Sequence, residues 1–301
     1  MKRAACVGLL ILCMTSAAAR GDDDEATAHG WRLKGDRGET VKVLPSPHRV
    51  PSAAGHPVEA PVTGMTVYAA SYGSGNLNDH GGLEIANAGF YQIYYDSTVP
   101  ANITTGIDGF VNVFGSGVPD YKIIQQYGSH AAIAPTLANR GQFVDTKGVP
   151  STISDSQIQS YLAGLFTSST VPASASTIYG VYLPPGTTST MGSSSSCTNY
   201  CGYHSVFTYG SLQIKYAVFP YLTCSGCSLS GRSVLDMLTI VTSHEIREAV
   251  TDPGDNGKNA WYDRRGYEAD DKCAWHHLYT VGGYWVQPEY SNANKGCVVY
   301  P

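Results

Sequence analysis

The residues in this sequence best suited to chemistry lie in SHEIREAVTDP, residues 243–253, which contains His244, Glu245 and Glu248. Side chains four residues apart on a helix project from the same face, so His244 and Glu248 can bind one ion together. Glu245 is offset by about 100° and can approach the same point from the side. In the zinc-protease pattern H-E-x-x-H, this arrangement provides two metal ligands and a glutamate that acts as general base. The spacing therefore predicts a metal centre with His244 and Glu248 as ligands and Glu245 as the catalytic residue.

Glu248 stands where the zinc-protease pattern has its second histidine. A carboxylate is an accepted zinc ligand in sites that combine two histidines with one carboxylate. A site of one histidine and two carboxylates is harder and more anionic, so it binds zinc more weakly and tolerates Mn²⁺ or Ca²⁺ better. We expect zinc as the cofactor, with calcium as the alternative.

The third ligand must come from another part of the chain. The segment AWYDRRGYEADDKCAWHH, residues 260–277, follows the helix and is rich in side chains that bind metals. Within it we expect Glu268 or Asp271 to complete the shell, because a segment that returns past the helix can bring either carboxylate to the metal. Asp252, in the next turn of the helix, and His204, in CGYHS, are alternative ligands or supporting residues that we favour less.

The same residues also allow a structure without catalysis. Ionised carboxylates are rarely buried alone, and Arg247 could pair with either glutamate of the motif or with Asp252 in a salt-bridge network. DPGDNG is rich in oxygen ligands, so Asp252, Asp255 and Asp263 could form a structural calcium site, although the spacing does not fit an EF-hand. A carbohydrate-binding surface of tryptophans and tyrosines is a third alternative.

Three segments have helical features. Residues 233–252 are the clearest, because Ser233 is a suitable N-cap and Pro253 ends the pattern. Apolar residues recur on every face of this segment, which predicts a buried helix. Residues 154–168 have apolar side chains at helical spacing, and the glycine-rich segment 106–121 is a weaker candidate.

Short runs rich in Tyr, Val and Ile predict β-strands. The clearest runs are residues 65–71, 90–96, 176–184, 204–210 and 214–221. Together with the helices, they predict an α/β fold. We expect a single mixed-sheet domain over residues 64–301, zincin-like, with the H-E-x-x-E helix buried inside it.

The N-terminal residues predict export. A basic start, an apolar run at residues 7–14 and small residues after it are typical of a signal peptide, here residues 1–19. The apolar run is shorter than the roughly 20 residues that a membrane span needs, and no later run is long enough, so we expect no membrane span. Residues 20–63 have scattered Pro, Gly and charge with one aromatic residue, Trp31, which predicts a disordered tail, propeptide or linker.

The charge of the chain excludes one class of partner. Without the signal peptide, 17 basic residues stand against 24 acidic residues, a formal charge of −7. An acidic chain without a cluster of lysine or arginine is not expected to bind nucleic acid.

Six cysteines remain after the signal peptide: Cys197, Cys201, Cys224, Cys227, Cys273 and Cys297. An even number in an exported protein favours disulfides over zinc thiolates. Nearest-neighbour pairing would join 197 to 201, 224 to 227 and 273 to 297, but the sequence alone leaves the connectivity open. A zinc knuckle built from the first four cysteines is the competing interpretation.

Several segments, taken in order, resemble the EXORDIUM-like, phosphate-induced secreted proteins, and most closely their microbial branch. These segments are YQIYYDSTVP, YKIIQQYGS, TIYGVYLPPG, CTNYCGYHS, SHEIREAVTDP, AWYD, EADDKCAW and VQPEYSNANKGC. The resemblance implies a pattern H-E-x-x-E-A-x-T-D-P followed by E-x-x-D-x-C. It singles out His244, Glu245, Glu248, Asp252, Glu268, Asp271 and Cys273. The plant members of that family are extracellular, growth-related proteins without an established reaction.

The motif therefore predicts a secreted, zinc-dependent, metallopeptidase-like hydrolase in which Glu245 is the general base. Its substrate would be a peptide or an extracellular or cell-wall component. The alternative is a non-enzymatic extracellular or cell-wall-associated protein with a structural calcium site or an acidic salt-bridge network.

Overall fold

The computed structural model of the protein describes residues 30–50 and 64–300. The predicted signal peptide, residues 1–19, lies outside the described residues, as do residues 20–29 and 51–63 of the predicted tail or linker. The strands are β1 Arg32–Lys34, β2 Thr40–Pro45, β3 Thr66–Tyr68, β4 Asn78–Asp79, β5 Gly89–Tyr94, β6 Ala138–Val144, β7 Thr152–Ser154, β8 Thr177–Tyr182, β9 Thr188–Met191, β10 Ser194–Ser195, β11 Tyr200–Tyr209, β12 Leu212–Phe219, β13 Trp261–Tyr262, β14 Tyr279–Val281, β15 Tyr284–Val286, β16 Glu289–Ser291 and β17 Gly296–Val299. The α-helices are α1 Ala101–Phe114, α2 Pro119–Lys122, α3 Asp155–Thr167 and α4 Val234–Thr251.

Seven strands form the central sheet in the order β1-β2-β11-β12-β8-β5-β6. The strands from β12 to β6 pair in parallel, whereas β1, β2, β11 and β12 pair antiparallel. β8 is buried along its whole length, as expected for a parallel strand covered on both faces. The prediction of an α/β fold with a mixed sheet is confirmed.

Helix α4 is the buried helix that the sequence predicts. Ser233 accepts a hydrogen bond from the backbone N–H of Asp236, whose side chain accepts one from the N–H of Ser233, so a capping box starts the helix. Every residue from Met237 to Thr251 is buried. The helix packs against β2, β11, β12 and β15, and Pro253 follows its end.

Of the other two predicted helices, the structure confirms one and contradicts the other. Helix α3 lies within the predicted segment 154–168 and also begins with a capping box. The prediction of one helix over residues 106–121 is wrong, because the chain forms α1 and α2 with a break between them. Gly117 in the break has a φ of +90°, which is compatible with glycine but not with a continuing helix. None of the helices in the described residues is long and apolar enough to cross a membrane.

Residues 30–50 belong to the central sheet, so the prediction of a disordered tail or linker is wrong for this part of residues 20–63. β1 and β2 form a hairpin, and β2 pairs with β11. Trp31 is buried, with its ring centroid 4.9 Å from that of Tyr72 and 5.3 Å from that of Tyr267. The folded unit therefore includes chain that precedes residue 64.

Three disulfides join Cys197 to Cys224, Cys201 to Cys227, and Cys273 to Cys297. The nearest-neighbour pairing is correct for the last pair and wrong for the first two. Cys197 lies in the turn that leads into β11 and Cys201 lies in β11 itself, and each is joined to the loop of residues 220–232. Since these four cysteines are oxidised, they do not form the zinc knuckle that competed with disulfides.

We expect the substitution Trp31→Ala to lower the free energy of unfolding by about 3–5 kcal/mol, because it empties a buried aromatic position. Lys34→Ala is the matched control in the same hairpin, since the Lys34 side chain is exposed. Urea unfolding followed by circular dichroism measures both. An unchanged stability of the Trp31 variant would mean that residues 30–50 are separable from the fold.

Candidate metal centre

Helix α4 and the segment after it bring three predicted ligands together. The Nε2 atom of His244 lies 3.0 Å from Oε2 of Glu248 and 3.7 Å from Oδ1 of Asp271. Two ligands that bind one zinc ion at about 2.1 Å in tetrahedral geometry lie roughly 3.4 Å apart, so these distances suit a shared ion. We call His244, Glu248 and Asp271 the helix group.

Asp271 is held in place by the chain around it. It begins the short 3₁₀ helix Asp271–Cys273, which the disulfide between Cys273 and Cys297 ties to β17. The backbone N–H of Asp271 also donates a hydrogen bond of 2.9 Å to Oε1 of Glu248. This leaves Oε2 of Glu248 to face His244.

A second group forms where α4 meets β11. Nδ1 of His204 lies 2.9 Å from Oε2 of Glu245 and 3.9 Å from Oε2 of Glu248. We call His204, Glu245 and Glu248 the strand group. Gly202 allows this close approach, because a Cβ atom there would lie 2.4 Å from Cγ1 of Val241 and 3.1 Å from Oε1 of Glu245.

Glu268 and Asp252 belong to neither group. Both carboxylates pair with Lys42 of β2, with Nζ 3.1 Å from Oε1 of Glu268 and 2.7 Å from Oδ2 of Asp252. Of the two residues predicted as the third ligand, Asp271 therefore joins the helix group and Glu268 lies beside it. Lys42 was not predicted, although it is opposite His204 in the pairing of β2 with β11.

Gln287 is a second residue beside the centre that the sequence did not predict. Its Nε2 lies 2.9 Å from Nδ1 of His244 and 3.0 Å from the carbonyl oxygen of Asp270. A cation at Nε2 of His244 requires the ring proton on Nδ1, and the amide oxygen of Gln287 could accept that proton only if the amide turned over and lost the hydrogen bonds that its Nε2 donates to Asp270. That oxygen has no partner in this structure.

Arg247 does not neutralise the glutamates of the motif. Its guanidinium pairs with Asp120, at 2.8 Å, and with Asp270, and it also donates to the carbonyl oxygen of Gln287. The predicted salt-bridge network around Arg247 exists, but its partners are different carboxylates.

The three aspartates that were predicted to form a calcium site around the DPGDNG segment have separate partners. Each carboxylate pairs with a lysine of its own: Asp252 with Lys42, Asp255 with Lys215, and Asp263 with Lys272. Asp263 also accepts hydrogen bonds from backbone N–H groups. The structure therefore does not bring these three aspartates to one ion.

In the two groups and beside them, the buried carboxylates outnumber the positively charged side chains that contact them. Five of them are buried around the centre: Glu245, Glu248, Asp252, Glu268 and Asp271. Lys42 is the one ammonium group that contacts them in the described residues. Burial lowers the pKa of both His204 and His244, so the imidazoles stay neutral. If all five carboxylates ionise, four negative charges have no counterpart.

The pKa values respond to this excess. Burial raises the pKa of Glu248 to about 8, against the opposing hydrogen bond from the backbone of Asp271. Burial also raises the pKa of Glu245, and the charge of Glu248 adds to the effect. The pKa of Asp271 rises for the same two reasons. Without a cation, the centre therefore binds protons.

The donors present fit a divalent cation. Nε2 of His244 is buried, lacks a hydrogen-bond partner and faces the two carboxylates of the helix group. Nε2 of His204 and Oε1 of Glu245 are likewise buried without partners. Unpartnered buried polar atoms are costly and rare, and a bound ion is one way to satisfy them.

A pocket of about 410 Å³ reaches the centre from one side. Lys42 and His204 border it, together with Pro253, Gly254, Asn256 and Gly257 beyond the end of α4. The remaining members of the two groups lie deeper, each no more than 3 % exposed. Access to the centre from solvent therefore leads past His204.

Compared with models of protein families, with curated proteins and with solved structures, the chain matches none of them. The resemblance to the EXORDIUM-like proteins therefore stays a prediction. The interpretation of the centre depends on its own geometry and charge.

We predict that the cation-free protein loses stability as the pH rises from 5 to 8. A carboxyl group whose pKa is higher in the folded state than in the unfolded state stabilises the fold while it is protonated. That contribution is complete below the ordinary pKa of 4.5 and is lost as the pH approaches about 8, the pKa of folded Glu248. Thermal unfolding in the presence of a chelator measures it.

Zinc should raise the melting temperature more at pH 8 than at pH 5. At pH 8 the buried carboxyl groups have lost the protons that stabilise the fold, and the ion takes the place of those protons. The variant Glu248→Gln should show a weaker dependence on pH than the wild type in chelator. A melting temperature in chelator that does not fall over this pH range would contradict the charge imbalance.

Proposed function

We propose that the protein is a secreted, zinc-dependent hydrolase of the metallopeptidase type, with a zincin-like arrangement around α4. The helix group carries this proposal, because a buried imidazole nitrogen without a partner faces two carboxylates at distances suited to zinc. Secretion is supported by the three disulfides, which are typical of proteins that mature in an oxidising compartment.

In this proposal His244, Glu248 and Asp271 hold the ion. A zinc ion bound there would supply a Lewis acid that polarises the carbonyl of a peptide bond and lowers the pKa of water. Glu245 accepts the proton of the attacking water and delivers it to the leaving amine. Burial raises the pKa of Glu245, which makes it a stronger base than an exposed carboxylate and helps it hold the proton that it takes.

His204 positions Glu245 in this mechanism. Its neutral imidazole donates the Nδ1 hydrogen to Oε2 of Glu245 at 2.9 Å, which fixes the carboxylate beside Glu248. Since His204 also borders the pocket, it lies between the entry path and the general base.

The pocket favours a polar, extended substrate. Its walls include Thr40, Gln213 and Asn259, whose side chains can hydrogen-bond to a peptide backbone. We therefore propose a peptide, or a peptide-containing component of the cell wall or extracellular matrix, as the substrate.

The depth of the centre favours a second candidate function. The residues of the helix group are almost completely buried, and Glu245 points at a protein partner, His204, rather than at open space. Structural metal sites are closed in this way, whereas catalytic sites keep an open coordination position. In this alternative the protein is a non-enzymatic extracellular or cell-wall-associated protein, and the cation, zinc or calcium, stabilises its fold.

The variant Glu245→Gln separates the two functions. If Glu245 is the general base, its replacement by the isosteric amide should reduce peptide hydrolysis by about 10²–10⁴-fold. The zinc held by the helix group should remain, because Glu245 is not one of its ligands. A library of internally quenched peptides measures hydrolysis, and elemental analysis measures zinc.

Asp108→Asn is the control, since it removes a carboxylate on α1 that hydrogen-bonds to Asn112 and Asn139, outside the centre. Zinc-loaded wild-type protein that cleaves no peptide in the library would favour the non-enzymatic function. Hydrolysis that survives in Glu245→Gln at the wild-type rate would refute the assignment of the base.

A further inference from the structure

We infer that the strand group, His204, Glu245 and Glu248, is a second divalent-cation site that shares Glu248 with the helix group. In each group, one ligand atom from every residue lies within 4.8 Å of the others. The two groups take their histidines from different elements, β11 and α4, and the carboxylate of Glu248 lies between them.

The position of Oε2 of Glu248 is what joins the two sites. This atom lies 3.0 Å from Nε2 of His244 and 3.9 Å from Nδ1 of His204. A carboxylate between two imidazoles is a typical bridge in two-metal sites, where the ions are about 3.5–4 Å apart. His204 and Glu245, whose Nδ1 and Oε2 atoms lie 2.9 Å apart, would complete the second site.

The balance of buried charges at the centre supports a second ion. One divalent cation balances Glu248 and Asp271, and Lys42 balances Asp252. Lys42 also contacts Glu268 and so shares its single charge between two carboxylates; two buried negative charges therefore remain in excess, that of Glu245 and one of the pair at Lys42. Since buried ionised carboxylates are almost always compensated, a second divalent cation beside Glu245 leaves the centre neutral.

The surroundings of His204 suit a metal ligand. When Nδ1 binds an ion, Nε2 carries the ring proton, and this atom is buried without a partner. Oε1 of Glu268 lies 3.9 Å from Nε2, and Lys42 holds Glu268 at 3.1 Å. A carboxylate behind a metal-bound imidazole is a common supporting contact, and a shift of under about 1 Å would close it.

The second ion has a consequence that depends on the proposed function. A carboxylate of Glu245 that binds a cation cannot also accept a proton from water. Zinc at the helix group should therefore activate the protein, and zinc at the strand group should inhibit it. Between one and two equivalents of zinc, hydrolysis should fall by ~100-fold or more, the contribution of a general base.

The test is a titration with Zn²⁺ of the metal-free protein without residues 1–19, followed by calorimetry and native mass spectrometry. We expect the wild type to bind two zinc ions, and His204→Ala to bind one at the helix group. Zinc K-edge absorption of the saturated wild type should give a zinc–zinc distance of about 3.5–4 Å. This last measurement needs no variant and does not depend on the folding of His204→Ala.

Saturation of the wild type at one zinc ion would overturn the second site, and so would a second ion that persists in His204→Ala. A different set of results would refute the proposed function. Two bound zinc ions without peptide hydrolysis would support the second site and refute the hydrolase. One bound zinc ion with hydrolysis would support the hydrolase and refute the second site.

Discussion

The burial of several carboxylates around the last turns of α4 is the constraint on which the rest of the structure depends. α4 ends at Thr251, so Glu248 lies in its last turn, where the helix dipole makes added negative charge unfavourable. Lys42 offsets one carboxylate, and Arg247 is already paired with other residues. The centre must bind protons or cations, and the buried nitrogen of His244 favours cations.

The fold provides this centre by packing three segments against one helix. β11 contributes His204, and Gly202 on the same strand lets α4 approach closely. The segment after α4 returns with Asp271 and is fixed by its disulfide to β17. β2 contributes Lys42 from the N-terminal hairpin. A change in any of these contacts alters the charge or the spacing of the centre.

Local signals in the sequence predicted α4, its capping residue and the proximity of His244 to Glu248, because helical spacing and N-capping depend on neighbouring residues. The position of Lys42 could not be predicted in this way. Its strand, TVKVLP, is short, and it pairs both with β1 and with β11, which lies far along the chain. The choice of Asp271 over Glu268, the contact of Gln287 and the crossed disulfides likewise depend on how distant segments pack.

The most direct measurement of the central claim is the metal content of the purified protein, compared with that of His244→Ala, by elemental analysis. If the buried charge around α4 is compensated by cations, the wild type should contain at least one zinc ion per chain, and the variant should lose the ion of the helix group. A folded wild-type protein that contains no divalent metal, and takes up none from added Zn²⁺, would contradict the account.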